Sequence, residues 1–157
     1  MSTPLSVLEE FLEGAFDPER IEDVTERLVS EDATYVSLNF DDPDLERLMP
    51  WAGTKRGRQA FVKNFQGVAA QWTLEGFEVR DTLSEGERVA LFGSFTLRSR
   101  TLGKATTSPM AILTKVVDGR ITYFQYMEDT FATARTFRSG GTWTIRADPA
   151  TADSFEV

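Results

Sequence analysis

Neither cysteine nor histidine occurs in the 157 residues. Disulfides, thiol nucleophiles, Cys/His zinc sites and histidine acid–base chemistry are thereby excluded. Basic residues are also in the minority, 17 Lys and Arg against 25 Asp and Glu, for a formal charge of −8. Phosphate backbones and anionic lipid need a basic footprint, so neither nucleic acid nor membrane is an expected partner. The local gatherings Lys55, Arg56, Arg58 and Lys63, and Arg98, Arg100 and Lys104, read as solvated faces. No apolar run reaches the length of a membrane span. The opening MSTPLSVLEEFLEGAF lacks the basic-then-apolar order of a signal peptide, and a cytoplasmic setting is the expectation.

What is present suffices for one sizeable core, since 41% of the residues are hydrophobic. Leu5, Leu8, Phe11, Leu12, Ala15 and Phe16 recur at three- and four-residue spacing and predict a helix over 4–15, with Thr3 as cap and Pro4 in the first turn. Asp17-Pro18 predicts the start of a second helix that buries Ile21, Val24 and Leu28. SEDATYVSLNF alternates, putting Tyr35, Ser37 and Asn39 on one face of a strand. Asp41 to Asp44 breaks it, Leu45, Leu48 and Met49 suit one helical turn, and Pro50-Trp51-Ala52-Gly53 reads as a loop. A helix is predicted over 59–70. Four strands follow, over 72–83, 88–100, 106–117 and 120–128, the last two joined by the hairpin signal Asp118-Gly119. Residues 129–137 suit a short closing helix. In the polar tail, Thr142 to Ile145 suits an extended piece lying on the surface or on a partner chain.

Helices gathered ahead of hairpin-linked strands imply an α+β fold, a curved antiparallel sheet with helices packed on its concave face. Such a sheet encloses a conical hollow. Its convex face needs a cover, for which a second copy of the chain is the expected partner.

Three segments carry a family resemblance: EDATYVS on the first strand, GTKRGRQAFVKNF entering the third helix, and DGRITYFQYMED on the last strand. In this order the chain resembles the NTF2-like superfamily, in its SnoaL-like and ketosteroid-isomerase-like branch, over about residues 3–137. The expected organisation is a domain over 1–137 and a polar tail over 138–157 that packs on the dimer partner. The resemblance implies a cone-shaped barrel, a homodimer and an apolar pocket for a small molecule. It does not decide function, because the superfamily includes proteins without catalytic activity.

The chemistry of the relatives is altered here. Ketosteroid-isomerase-like enzymes use a carboxylate base, a tyrosine and a protonated acid. By the resemblance those positions fall at Ser37, Phe11 and about Ala111, so all three groups are missing. The last-strand acid of epoxide-hydrolase-like and cyclase-like relatives falls at Tyr126. From Arg88 to Val117 there is no Asp or Glu to pair with Arg98 or Arg100. The segment GTKRGR lacks the Gly-Lys-Ser/Thr ending of a phosphate loop and follows no buried parallel strand, which rules that motif out.

The remaining polar groups are Tyr126, Glu128, Tyr35 and Asn39, the candidate catalytic residues. A glutamate in an apolar pocket has a raised pKa and can exchange protons, and a tyrosine can donate to a carbonyl or epoxide oxygen. Ser37, Trp51, Phe61, Phe65, Trp72, Phe92, Ala111, Phe124 and Phe11 are the candidate ligand contacts, with Trp51 placed at the mouth as a lid. No metal or organic cofactor is called for. The functions in view are cofactor-free isomerase, cyclase or hydrolase chemistry on a small apolar compound bearing a carbonyl, hydroxyl or epoxide, or non-catalytic binding of such a ligand by a dimer. An adaptor working through the sheet's outer face has no sequence feature in its favour.

Overall fold

The computed structural model describes residues 2–157. Thr3 caps α1 (Pro4–Ala15) by accepting the Ser6 N–H at 3.1 Å, and Pro4 sits where its missing N–H costs nothing. Val7, Leu8, Phe11 and Leu12 form its buried stripe. The second helix starts later than expected. Asp17 accepts the Glu19 N–H and opens a turn, and α2 runs Ile21–Leu28 from Arg20, which makes no side-chain cap. Gly14 lies where α1 meets α2, against Val24.

Six strands form one sheet in the order β2-β1-β6-β5-β4-β3. They are β1 (Val29–Ser37), β2 (Gly53–Arg56), β3 (Trp72–Glu85), β4 (Arg88–Ser99), β5 (Ala105–Val117) and β6 (Arg120–Glu128). Strand β2 replaces part of the expected loop and pairs antiparallel with β1, Ser37 opposite Gly53. Its first residue, Gly53, has φ +100°, which an L side chain would resist. The sheet is antiparallel except for β1 and β6, which run parallel with Ser37 beside Tyr126. It is curved but not closed, so the barrel of the resemblance is here an open sheet whose edge strands are β2 and β3.

Helices α1, α2 and α4 (Arg58–Gln71) lie on the concave face. At its centre Phe11 meets Phe61, Phe65 and Phe124 edge-on, with centroids 5.6–6.0 Å apart. Tyr35 closes the group at 4.9 Å from Phe61 and 5.0 Å from Phe124. Each enclosed phenyl contributes about 2 kcal/mol through burial alone. Phe11, Phe61 and Phe124 have no exposed surface, so these three candidate ligand contacts are core.

Strand phase corrects two further expectations. Along β4 the odd positions Val89, Leu91, Phe95 and Leu97 face inward, leaving Phe92 45% exposed on the convex side. Along β5 the even positions Met110, Ile112, Thr114 and Val116 are buried, so Ala111 points outward. Phe92 and Ala111 are therefore not pocket residues. They sit side by side in register with Met127, on a convex face that also exposes Leu113.

Two further helices are short. Pro43–Leu48 forms α3, capped by Asp42, which accepts the Asp44 and Leu45 N–H groups. Thr130–Ala134 forms α5, followed by a 3-10 turn over Arg135–Phe137. The tail folds on itself: β7 (Thr144–Ile145) pairs with β8 (Phe155–Glu156), and Trp143 packs on Phe131 at 5.7 Å. Among the described residues no helix is long and apolar enough to cross a membrane.

Candidate functional site

A cavity of about 210 Å³ lies under the concave face. Its apolar walls include Phe16, Phe65, Trp51, Trp72, Phe95 and Leu97, from α1, α4, the loop before β2 and strands β3 and β4. Trp51 is 3% exposed and packs against Trp72 at 4.9 Å, so it is a buried wall and not a surface lid. Trp72 in turn stacks on Phe137 and donates its Nε1–H to Thr136 Oγ1 at 2.8 Å. That buried bond ties the cavity wall to the chain that follows β6.

The polar wall comes from the parallel pair. Tyr35 and Ser37 on β1, and Tyr126 and Glu128 on β6, all line the cavity. Pairing Ser37 with Tyr126 in parallel register places these side chains on one face of adjacent strands. Arg100 lines the cavity too, and its guanidinium donates from Nε to the Ala69 carbonyl. Arg98 is not in the cavity; it forms an ion pair with Glu75 on β3 at 2.6 Å.

Asn39 does not join the group. Leu38 adopts φ +65°, ending the strand's alternation, so Asn39 is exposed and its Oδ1 accepts the Phe40 N–H. A left-handed leucine carries no sequence mark, which is why the alternation extends too far on paper.

Glu128 escapes the usual task of a glutamate at a strand end. Its neighbour Asp129 caps α5, accepting the Ala132 N–H at 3.0 Å. Glu128 keeps some accessible surface, yet its Oε2 is fully buried and has no hydrogen-bond partner. Burial raises its pKa to about 7, with a nearby Thr133 hydroxyl opposing and the Asp129 charge adding to the rise. Burial, reinforced by the charge of Glu128, also pushes the phenols of Tyr35 and Tyr126 upward. Both stay neutral hydrogen-bond donors at any working pH.

This set can hold a proton near neutrality on Glu128 and lines the same cavity with two neutral phenols. Among the described residues no three Asp or Glu side chains converge on a metal position. Phe16, Phe95 and Leu97 are wall residues that sequence reasoning did not select. The odd-position phase of β4 contains the signal for two of them, masked by Phe92 on the opposite phase.

A curved sheet with helices on its concave side and a cavity beneath them define an NTF2-like architecture. A family model described as SnoaL-like domain matches residues 8–124, and the chain belongs to the SnoaL-like family. Patulin synthesis protein F of Aspergillus clavatus is 45% identical over 139 residues, covering 87% of this chain and 69% of that protein. Patulin biosynthesis cluster protein F of Penicillium expansum is 42% identical over 140 residues, with the same coverage of 87% and 69%. Among solved structures, an NTF2-like protein from Burkholderia thailandensis superposes with a TM-score of 0.71 at 20% identity, covering 88% of this chain and 99% of that one.

Proposed function

We propose that the protein is a cofactor-independent enzyme that moves a proton on a small, largely apolar compound bearing a carbonyl, hydroxyl or epoxide. Glu128 is the general acid–base, and Tyr126, helped by Tyr35, donates to the substrate oxygen. The observation that carries this reading is the Glu128 carboxyl: enclosed, unpartnered at Oε2, lining an apolar cavity and titrating at about 7. A group with that pKa can accept and return a proton at neutral pH, as isomerisation, cyclisation or epoxide opening requires. The names of the two fungal relatives, which refer to patulin synthesis, support work on a small organic molecule.

Turnover of a panel of cyclic enones and epoxides, measured beside binding of the same compounds, tests the proposal. Glu128→Gln and Tyr126→Phe should retain binding. Removing the phenolic donor should lower turnover roughly 100-fold. With Glu128 as base, kcat/KM should fall as pH drops below about 7. Equal turnover in parent and both variants would remove Glu128 and Tyr126 from the chemistry, and binding by a parent that turns over none of the panel would leave ligand binding without catalysis as the function.

A further inference from the structure

A second concavity lies on the outer side of Trp51 and differs chemically from the first. It spans about 470 Å³ and is lined by Lys55 and Arg56 of β2, by Lys63 and Asn64 of α4, and by Pro50 and Trp51. Its lining includes three cations and no carboxylate, in a chain whose formal charge is −8. Of the four basic residues in this stretch, only Arg58 is ion-paired, bonded to Glu26 and also to the Val29 carbonyl. Among the described residues Lys55, Arg56 and Lys63 form no ion pair.

The decisive group is Asn64. It is 2% exposed, and its Oδ1 faces the Lys55 ammonium at 3.4 Å. Lysine has no acceptor, so this contact fixes which end of the amide is oxygen. Asn64 Nδ2 is then left buried without any partner, as is the Trp51 Nε1–H. An orphaned buried donor is destabilising unless something completes it. Burial lowers the pKa of Lys55, Glu46 opposing from a distance without forming an ion pair, and the ammonium donates to the Pro50 carbonyl. The two unfilled groups are donors, and the charged side chains that line the pocket are all positive.

We infer that the pocket bounded by Lys55, Arg56, Lys63 and Asn64 is a binding site for a small, multiply charged oxyanion, a phosphoryl group or a cluster of carboxylates. Such a group neutralises the unpaired cations that surround the Asn64 amide, and charge-assisted bonds of this kind exceed neutral ones about twofold in strength. Trp51 lines both this pocket and the inner cavity, so it forms the partition between them. The site does not depend on the catalytic reading of Glu128.

Titration of the full chain with inorganic phosphate, and separately with citrate, at matched ionic strength tests it by two-dimensional 1H–15N spectra. The Asn64 side-chain amide should shift saturably with at least one anion, and the tighter of the two identifies phosphoryl or carboxylate as the preferred group. Lys63→Gln, at an exposed position where folding is not at stake, should weaken that binding roughly tenfold. Lys55→Gln should weaken it at least as much. Shifts no larger than those produced by sodium chloride, or affinity unchanged in Lys63→Gln and Lys55→Gln, would overturn the assignment.

Discussion

Replacing Glu128 with glutamine should stabilise the protein at pH 8 and leave it nearly unchanged at pH 4. The carboxyl titrates at about 7 in the fold against an ordinary 4.5. Between those values the folded protein holds a proton that the unfolded chain has released, so stability falls as pH rises. Below the lower value both states are protonated and the penalty vanishes. Above the upper one it is complete. At 1.36 kcal/mol per pH unit of separation, the full penalty is at most about 3 kcal/mol. Glutamine keeps the shape and cannot ionise. Urea denaturation followed by tryptophan fluorescence, at intervals from pH 4 to 9, gives the difference between parent and variant and cancels the other carboxylates. A difference that climbs through pH 4.5–7 is expected. A flat difference, or one of opposite sign, would refute the claim that this carboxyl is desolvated.

Thr136→Val should cost about 1–3 kcal/mol in the same assay, because it strands the buried Trp72 indole N–H. Gly14→Ala should destabilise by about 1–3 kcal/mol, since the new methyl would lie 2.3 Å from Val24 Cγ1 on a stiff β-branched side chain. Val24→Ala in the same chain should recover part of that loss. We further propose that the convex face is a homodimer interface. Phe92→Lys with Leu113→Lys should then convert a dimer to a monomer in sedimentation velocity, and a parent already monomeric would remove the proposal.

The fold was legible because its signals are local and redundant. Thr3, Asp42 and Asp118-Gly119 each mark an end, and β3 to β6 are long extended runs joined by short turns. Strand β2 was not, being four residues of which three are polar and exposed or half-exposed. The site was legible in part. Tyr35, Ser37, Tyr126 and Glu128 follow from period-two alternation on two strands, and they do meet. Phe92 and Ala111 misled because β4 and β5 are apolar on both faces, so periodicity alone cannot say which face is inward. Phe11, Phe61 and Phe124 had the right direction but lie too deep, a distinction of packing depth that no linear pattern encodes.

The parallel pairing of β1 with β6 has a consequence for biogenesis. Residues 29–37 emerge from the ribosome long before 120–128, and no local hairpin can bring them together. Strand β1 must wait, with only short β2 beside it, while nearly the whole chain is made. The polar wall of the cavity thus comes into being in the last stage of assembly, and a chain cut short ahead of Arg120 would lack both Tyr126 and Glu128.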